Sequence, residues 1–233
     1  MNVSNVSTGR VTFEERQRNL YFLKVLYTLV AITLLVTVIW TSFALAYYDP
    51  FGNGIQRYWE VAIATGALCL ILLLVAFFVP AAQQIPISIV VYVLFTLCFM
   101  HFFSWLALVD PSRLVYYALW LLLAIAIAYA IYAWATSTYM NSLISILITG
   151  IAALLVFVAF LIFSNVSFLG LLLVLLGVMV YGFYMNYDIR KMVRGGIQDY
   201  SREDPWSGAV RIWLESVFVF CRFIELLGRS CCK

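Results

Sequence analysis

The last apolar stretch of the chain, Trp206 to Gly228, carries Arg211, Glu215, Arg222 and Glu225, where a membrane span ordinarily carries no charge. At about 100° per helical residue these four fall within an arc of roughly 80°, with Ser207 and Arg229 close to it. A charge near the centre of a bilayer costs at least ~2.5–3.5 kcal/mol, so such groups face a protein interior or a wet cavity. The stripe therefore predicts a central helix shielded from lipid by the others. Glu60, His101 and Asp188 are further ionisable groups set in or at the ends of apolar runs.

Two of the acids have a spacing that could do chemistry. Asp188 ends one apolar run, Glu215 lies near the middle of the next, and the runs are joined by a loop of about eighteen residues, as antiparallel neighbours would be. Carboxylates held close together cannot both ionise freely, so one pKa rises and the pair can share a proton. Such a pair bridges two helices when protonated and repels when deprotonated, which makes a pH-sensitive latch. Its oxygens are also suitable ligands for a hard cation such as calcium, which makes Asp188 and Glu215 the candidate metal-binding residues. A second reading stays open from spacing alone. Arg211 precedes Glu215 by four residues and Arg222 precedes Glu225 by three, so both glutamates could be ion-paired within their own helix. Pairing with arginine favours the ionised carboxylate and blunts a proton switch.

The elements that must position these groups are membrane spans. Apolar residues make up 65% of the chain and charged residues 11%, against about 25% in ordinary soluble domains, which excludes a soluble fold. A spanning helix needs ~20 mainly apolar residues. On that rule spans fall at 21–47, 55–79, 85–109, 113–136, 141–163, 168–187 and 206–228. The expected architecture is an all-α membrane protein of seven transmembrane helices with a central, charged seventh helix. Residues 1–20 form an N-terminal tail, 21–228 a single transmembrane domain, and 229–233 a short C-terminal tail.

Lysine and arginine placement sets the orientation. Arg10, Arg16, Arg18, Lys24, Arg190, Lys191, Arg194 and Arg202 fall on one side, against Arg57, Arg113, Arg229 and Lys233 on the other. This bias predicts a cytosolic N-terminus. A re-entrant last segment would strengthen it by bringing Arg229 and Lys233 inside. The small-residue pair Ala62 and Gly66, and the glycines Gly170, Gly177 and Gly182, are expected to let helices approach closely.

Other chemistries are excluded by what the chain holds. A net charge of +3 without a basic cluster gives no footprint for nucleic acid. Cys69, Cys98 and Cys221 lie in apolar runs and read as small buried hydrophobes rather than a disulfide framework. His101 stands alone among Met100, Phe102 and Phe103 and reads as a hydrogen-bonded core residue. There is no metal-ligand set, no Gly-x-Ser-x-Gly and no phosphate loop, so neither an enzyme nor a resident cofactor is expected.

At its C-terminal third the chain resembles the transmembrane Bax inhibitor motif family. That family's signature has Tyr-Asp at the end of the sixth helix, a short basic loop, then Leu-Asp in apolar and aromatic text. Here it reads Tyr187-Asp188-Ile189-Arg190-Lys191, then Trp213-Leu214-Glu215-Ser216, closing on Leu226-Leu227-Gly228. Trp59-Glu60-Val61-Ala62 resembles the family's acidic position in the second helix. The resemblance implies six helices wrapped around a seventh, residence in endoplasmic reticulum or Golgi membranes, calcium leak from those stores, and restraint of apoptosis. It also implies that Asp188 and Glu215 form the gate, with Glu60, Arg211, Arg222 and Glu225 as a supporting charge network. Calcium is then the permeant ion, and the partners are the lipid bilayer and host membrane proteins of cell-death pathways. The chain looks like a divergent, cytomegalovirus-encoded member, a viroporin, and it departs from the family pattern at several positions. Glu stands for the usual Asp at 215, Phe218 for a common Asn, and Glu225 for an Arg. A non-conducting regulator of cell death or trafficking, acting through protein contacts, is the competing class.

Overall fold

The computed structural model describes residues 13–48, 59–110, 113–136, 142–164, 166–193 and 204–213. These form six long α-helices: α1 (Phe13–Tyr48), α2 (Trp59–Phe78), α3 (Ile87–Val109), α4 (Leu114–Ala135), α5 (Ser142–Phe163) and α6 (Phe168–Val193). A single 3₁₀ turn, Pro80–Gln83, joins α2 to α3, and residues 205–213 are again helical. No strand occurs among the described residues. All six helices are long and apolar enough to cross a membrane, and the chain is a multi-pass membrane protein.

The helix limits follow backbone chemistry as much as hydropathy. α1 begins at Phe13, inside the stretch predicted as a tail, because Glu-Glu-Arg-Gln-Arg is good helix-forming text although it is polar. α6 runs to Val193, six residues past its predicted end at 187, for the same reason. Pro80 opens the 3₁₀ turn at a position where its missing N–H costs nothing. The Asp110 carboxylate accepts the backbone N–H of Val115 at 3.0 Å and so caps the start of α4.

Packing directions are fixed by side-chain contacts. α1 and α3 run parallel, since Thr33 meets Thr96 at 3.4 Å and Thr41 meets Ser104 at 2.9 Å. α1 and α4 run antiparallel: Ser42 bonds Tyr116 at 3.0 Å near one end, and Trp134 donates to Thr28 at 3.0 Å near the other. One face of the bundle therefore gathers the start of α1, the end of α2, the start of α3 and the end of α4. Thr33, Thr37 and Thr41, all fully buried, form a hydroxyl ladder toward α3, each also bonding the carbonyl four residues back. In lipid such hydroxyls must be satisfied within the protein, and the ladder does this while tying the two helices together.

The outer surface is apolar. Ile131, Leu155 and Leu173 are each more than 60% exposed, an arrangement that suits hydrocarbon and not water. The small-residue contacts are real at Gly66, at Gly182 and at Gly170, where a Cβ would come within 3.3 Å of Leu114 of α4. A Cβ on Gly66 would come within 2.8 Å of the Phe102 ring, and one on Gly182 within 3.0 Å of Thr149. Gly177, expected to join them, has open space where a Cβ would project, so it serves no close helix approach among the described residues.

Candidate functional site

The 205–213 segment begins with its own cap. Asp204 accepts the backbone N–H groups of Trp206 at 3.2 Å and Ser207 at 3.3 Å, and Pro205 occupies the first helical position. This is the arrangement that satisfies orphan amides at a helix start. Asp204 is 3% exposed. Burial raises its pKa above the usual carboxylate value, and the Ser88 hydroxyl, the two amides and the Arg211 charge offset only part of that rise.

Beyond the cap the segment is enclosed on every side. Residues 207–213 are all buried, Ala209 and Val210 completely, and Arg211 is only 5% exposed. A helix buried all round lies inside a bundle rather than on its surface. Trp206 packs edge-on against Tyr92 at 5.3 Å between ring centroids, and Trp213 packs against Phe99 at 4.6 Å. Both contacts advance by seven residues, so the segment runs parallel to α3. Trp213 also stacks on Tyr181 of α6 at 6.4 Å. Among the described residues the buried Ser207 hydroxyl and Trp213 indole N–H have no hydrogen-bond partner, which leaves polar capacity inside the bundle.

Arg211 reaches across to α2. Its Nε donates to the carbonyl of Ala76 at 3.2 Å and its Nη2 to that of Phe77 at 3.1 Å, while the guanidinium lies 4.9 Å from the Phe77 ring centroid. α2 ends at Phe78, so these are last-turn carbonyls with no partner inside the helix, at the negative end of its dipole. Gln83 points its amide at the same two carbonyls, at 3.5 and 3.4 Å. The planar fork of arginine suits this pair of acceptors better than a point charge would. These bonds tie the last segment to α2, a role the i, i+4 spacing to Glu215 did not suggest.

The other expected site residues are placed as follows. Asp188 lies in α6, seven residues after Tyr181 and about 20° from it around the helix, on the stripe of α6 that meets Trp213. Its side chain lies outside the described residues, as do Glu215, Arg222 and Glu225 entirely. Glu60 is exposed in the first turn of α2, about 24 Å along that helix from the carbonyl that Arg211 binds. The structure does not bring Glu60 and Arg211 together. A carboxylate in a first turn is favoured by the positive end of the helix dipole, which accounts for Glu60 without a network. His101 is half-buried on α3, and Cys69 and Cys98 are buried free thiols.

A buried polar cluster beside Asp188 was not anticipated. Tyr27 of α1 donates to the Asn186 side-chain oxygen of α6 at 2.7 Å, and the Asn186 amide donates to Ser145 of α5. Tyr129 of α4 bonds Ser145 at 3.0 Å, bonds Thr149 as well, and lies 3.4 Å from the carbonyl of Gly182. All five side chains are at most 4% exposed. Asn186 inside an apolar run was the sequence signal for this cluster, and Asp204-Pro205 ahead of one was the signal for the cap.

Comparison with known proteins places this arrangement. The family model described as "Inhibitor of apoptosis-promoting Bax1" matches residues 19–231. Protein lifeguard 3 of Homo sapiens is 22% identical over 231 residues, covering 95% of this chain and 73% of that protein. Protein lifeguard 3 of Mus musculus is 21% identical over 225 residues, covering 93% and 71%. No solved structure matches the chain. A multi-pass helical bundle matched over nearly its whole length by one family model has one assignment: the chain belongs to the Bax inhibitor family, the inhibitors of apoptosis-promoting Bax1.

Proposed function

We propose that this protein is a calcium-permeable leak channel of endoplasmic reticulum or Golgi membranes that lowers stored calcium and thereby restrains apoptosis. Its N-terminus faces the cytosol, and Asp188 and Glu215 form the gate. The carrying observation is the 205–213 segment, a helix start buried on all sides that takes the charged Arg211 into the bundle between α2, α3 and α6. A helix start that carries a charge and is enclosed by apolar helices, with polar atoms that have no partner among the described residues, suits a water-accessible path through a membrane bundle. Asp188 lies about 10 Å, two turns, along α6 from Tyr181, the residue that meets Trp213 of this segment. When the two carboxylates share a proton they hold α6 and the last helix together. When both ionise they repel and the path opens, so flux rises with pH.

One observation favours the competing reading, a non-conducting regulator acting on membrane proteins of cell-death pathways. The bonds from Arg211 to the end of α2 account for a buried charge without a pore. Purified protein in vesicles loaded with a calcium-sensitive dye separates the two. A channel admits external calcium faster than protein-free vesicles do, and a regulator does not.

A further inference from the structure

We propose that the Tyr27–Asn186–Ser145 cluster is the positioning device for the gate, with Asn186 setting where the Asp188 end of α6 sits; this rests on the reading of Asp188 as a gate residue. Asn186 is 2% exposed, two residues before Asp188, in the last turns of α6. Its side chain is used at both ends. The oxygen accepts from Tyr27 of α1 at 2.7 Å, and the amide donates to Ser145 of α5. Ser145 is held in turn by Tyr129 of α4, which also bonds Thr149 and lies under the Gly182 carbonyl of α6. Three helices thus meet at one amide, and α4 joins them through Ser145.

The flanks of Asn186 show why the amide fixes a position and does more than fill space. Met185 and Ile189 are buried at 3% and 0%, but Tyr187 is 66% exposed, so apolar packing holds this turn on part of its circumference only. Apolar contacts are non-directional, and alone they leave a helix end free to rotate or slide by fractions of a turn. Two directed hydrogen bonds from opposite ends of one planar amide remove that freedom. Because the cluster is neutral and buried, breaking one bond leaves a donor or acceptor without water to replace it, so the arrangement has few alternatives. Asp188 shares the same turn, and any rotation of that turn changes the surroundings of its carboxylate.

Tyr27→Phe removes the hydroxyl that bonds the Asn186 oxygen and keeps the ring, which packs 5.4 Å from Tyr129. Asn186→Leu removes both bonds, and Thr149→Ser keeps the hydroxyl as a control. Two readouts are taken on full-length protein in liposomes. The first is the pH midpoint of calcium flux, expected to move by about half a unit or more in Tyr27→Phe and Asn186→Leu and to stay in place in Thr149→Ser. The second is the rate at which N-ethylmaleimide modifies position 188 in an Asp188→Cys background, read by mass spectrometry of that peptide. It is expected to change at least threefold when Tyr27→Phe is added. Lower thermal stability with an unmoved midpoint and an unmoved labelling rate would make the cluster structural only and overturn the proposal. If the unsubstituted protein passes no calcium, the channel reading fails, and the labelling rate alone decides whether the cluster positions residue 188.

Discussion

Replacing Arg211 by methionine tests how the last segment is held. Methionine keeps much of the side-chain volume and removes the guanidinium. Two charge-assisted hydrogen bonds are lost, to Ala76 at 3.2 Å and Phe77 at 3.1 Å, together with the contact over the Phe77 ring at 4.9 Å. Hydrogen bonds to charged groups contribute about 1.5–3 kcal/mol each, and the ring contact about 0.5–2 kcal/mol. Against this, removing a buried cation relieves a desolvation cost of several kcal/mol. Gln83 stays aimed at the two carbonyls, at 3.4–3.5 Å, and partly replaces the lost donors. The balance is a net loss of about 2–3 kcal/mol. At about 2–4 °C per kcal/mol for a chain of this size, Tm in detergent should fall by about 4–12 °C. Tryptophan fluorescence is a suited readout because Trp206 and Trp213 both lie in the segment. Arg211→Lys, which keeps the charge and loses the fork, should fall between the two. An unchanged or raised Tm in Arg211→Met would refute the account of this arginine as the tie between the last segment and α2.

Four further outcomes are expected. Asp204 has a folded-state pKa raised above 3.8, chiefly by burial, so the folded protein binds that proton more tightly than the unfolded chain does. Stability from this group is therefore fully present below about pH 4 and declines as pH rises through its folded pKa; Asp204→Asn should flatten that part of a Tm-versus-pH curve, and an unaltered slope would count against it. Asp204→Ala, which removes the cap as well, should cost about 0.5–2 kcal/mol at neutral pH by thermal unfolding. Gly182→Ala places a Cβ 3.0 Å from Thr149 and 3.3 Å from Ile125 and should destabilise by about 1–3 kcal/mol, whereas Gly177→Ala meets no atom of the described residues within 4 Å and should be neutral or slightly stabilising. For the gate, the double variant Asp188→Cys with Glu215→Cys should form an internal disulfide under mild oxidation, since latch partners must come within bonding reach. Failure to cross-link in either open or closed conditions would exclude the direct pair.

The sequence made the membrane legible, because hydropathy reports what the lipid will accept. It did so to within a few residues for α2, α3, α4 and α5. It missed eight residues at the start of α1 and six at the end of α6, where polar text continues the helix outside the apolar run. The stripe on the last segment correctly put Arg211 indoors, since a lipid-facing charge is prohibitive, and two of the partners it meets there are carbonyls of α2. A backbone oxygen at the end of another helix leaves no side-chain trace in the sequence, so these partners were not legible there; Glu215 lies outside the described residues. Glu60 drew attention for its charge and for its resemblance to the family's acidic position in the second helix, and it stands in the first turn of α2. The Asp204 cap was readable from Asp-Pro ahead of an apolar run. For the Asn186 cluster the sequence marked only Asn186 itself, because its partners come from α1, α4 and α5 and meet only when the bundle is packed.

The central claim is tested most directly by the pH dependence of calcium entry into dye-loaded proteoliposomes, measured side by side for the unsubstituted protein, Asp188→Asn and Glu215→Gln. A carboxylate-gated leak predicts flux well above that of protein-free vesicles, rising with pH, and a flattened pH response in both variants. Flux no greater than in protein-free vesicles, or a pH response identical in all three proteins, would contradict it.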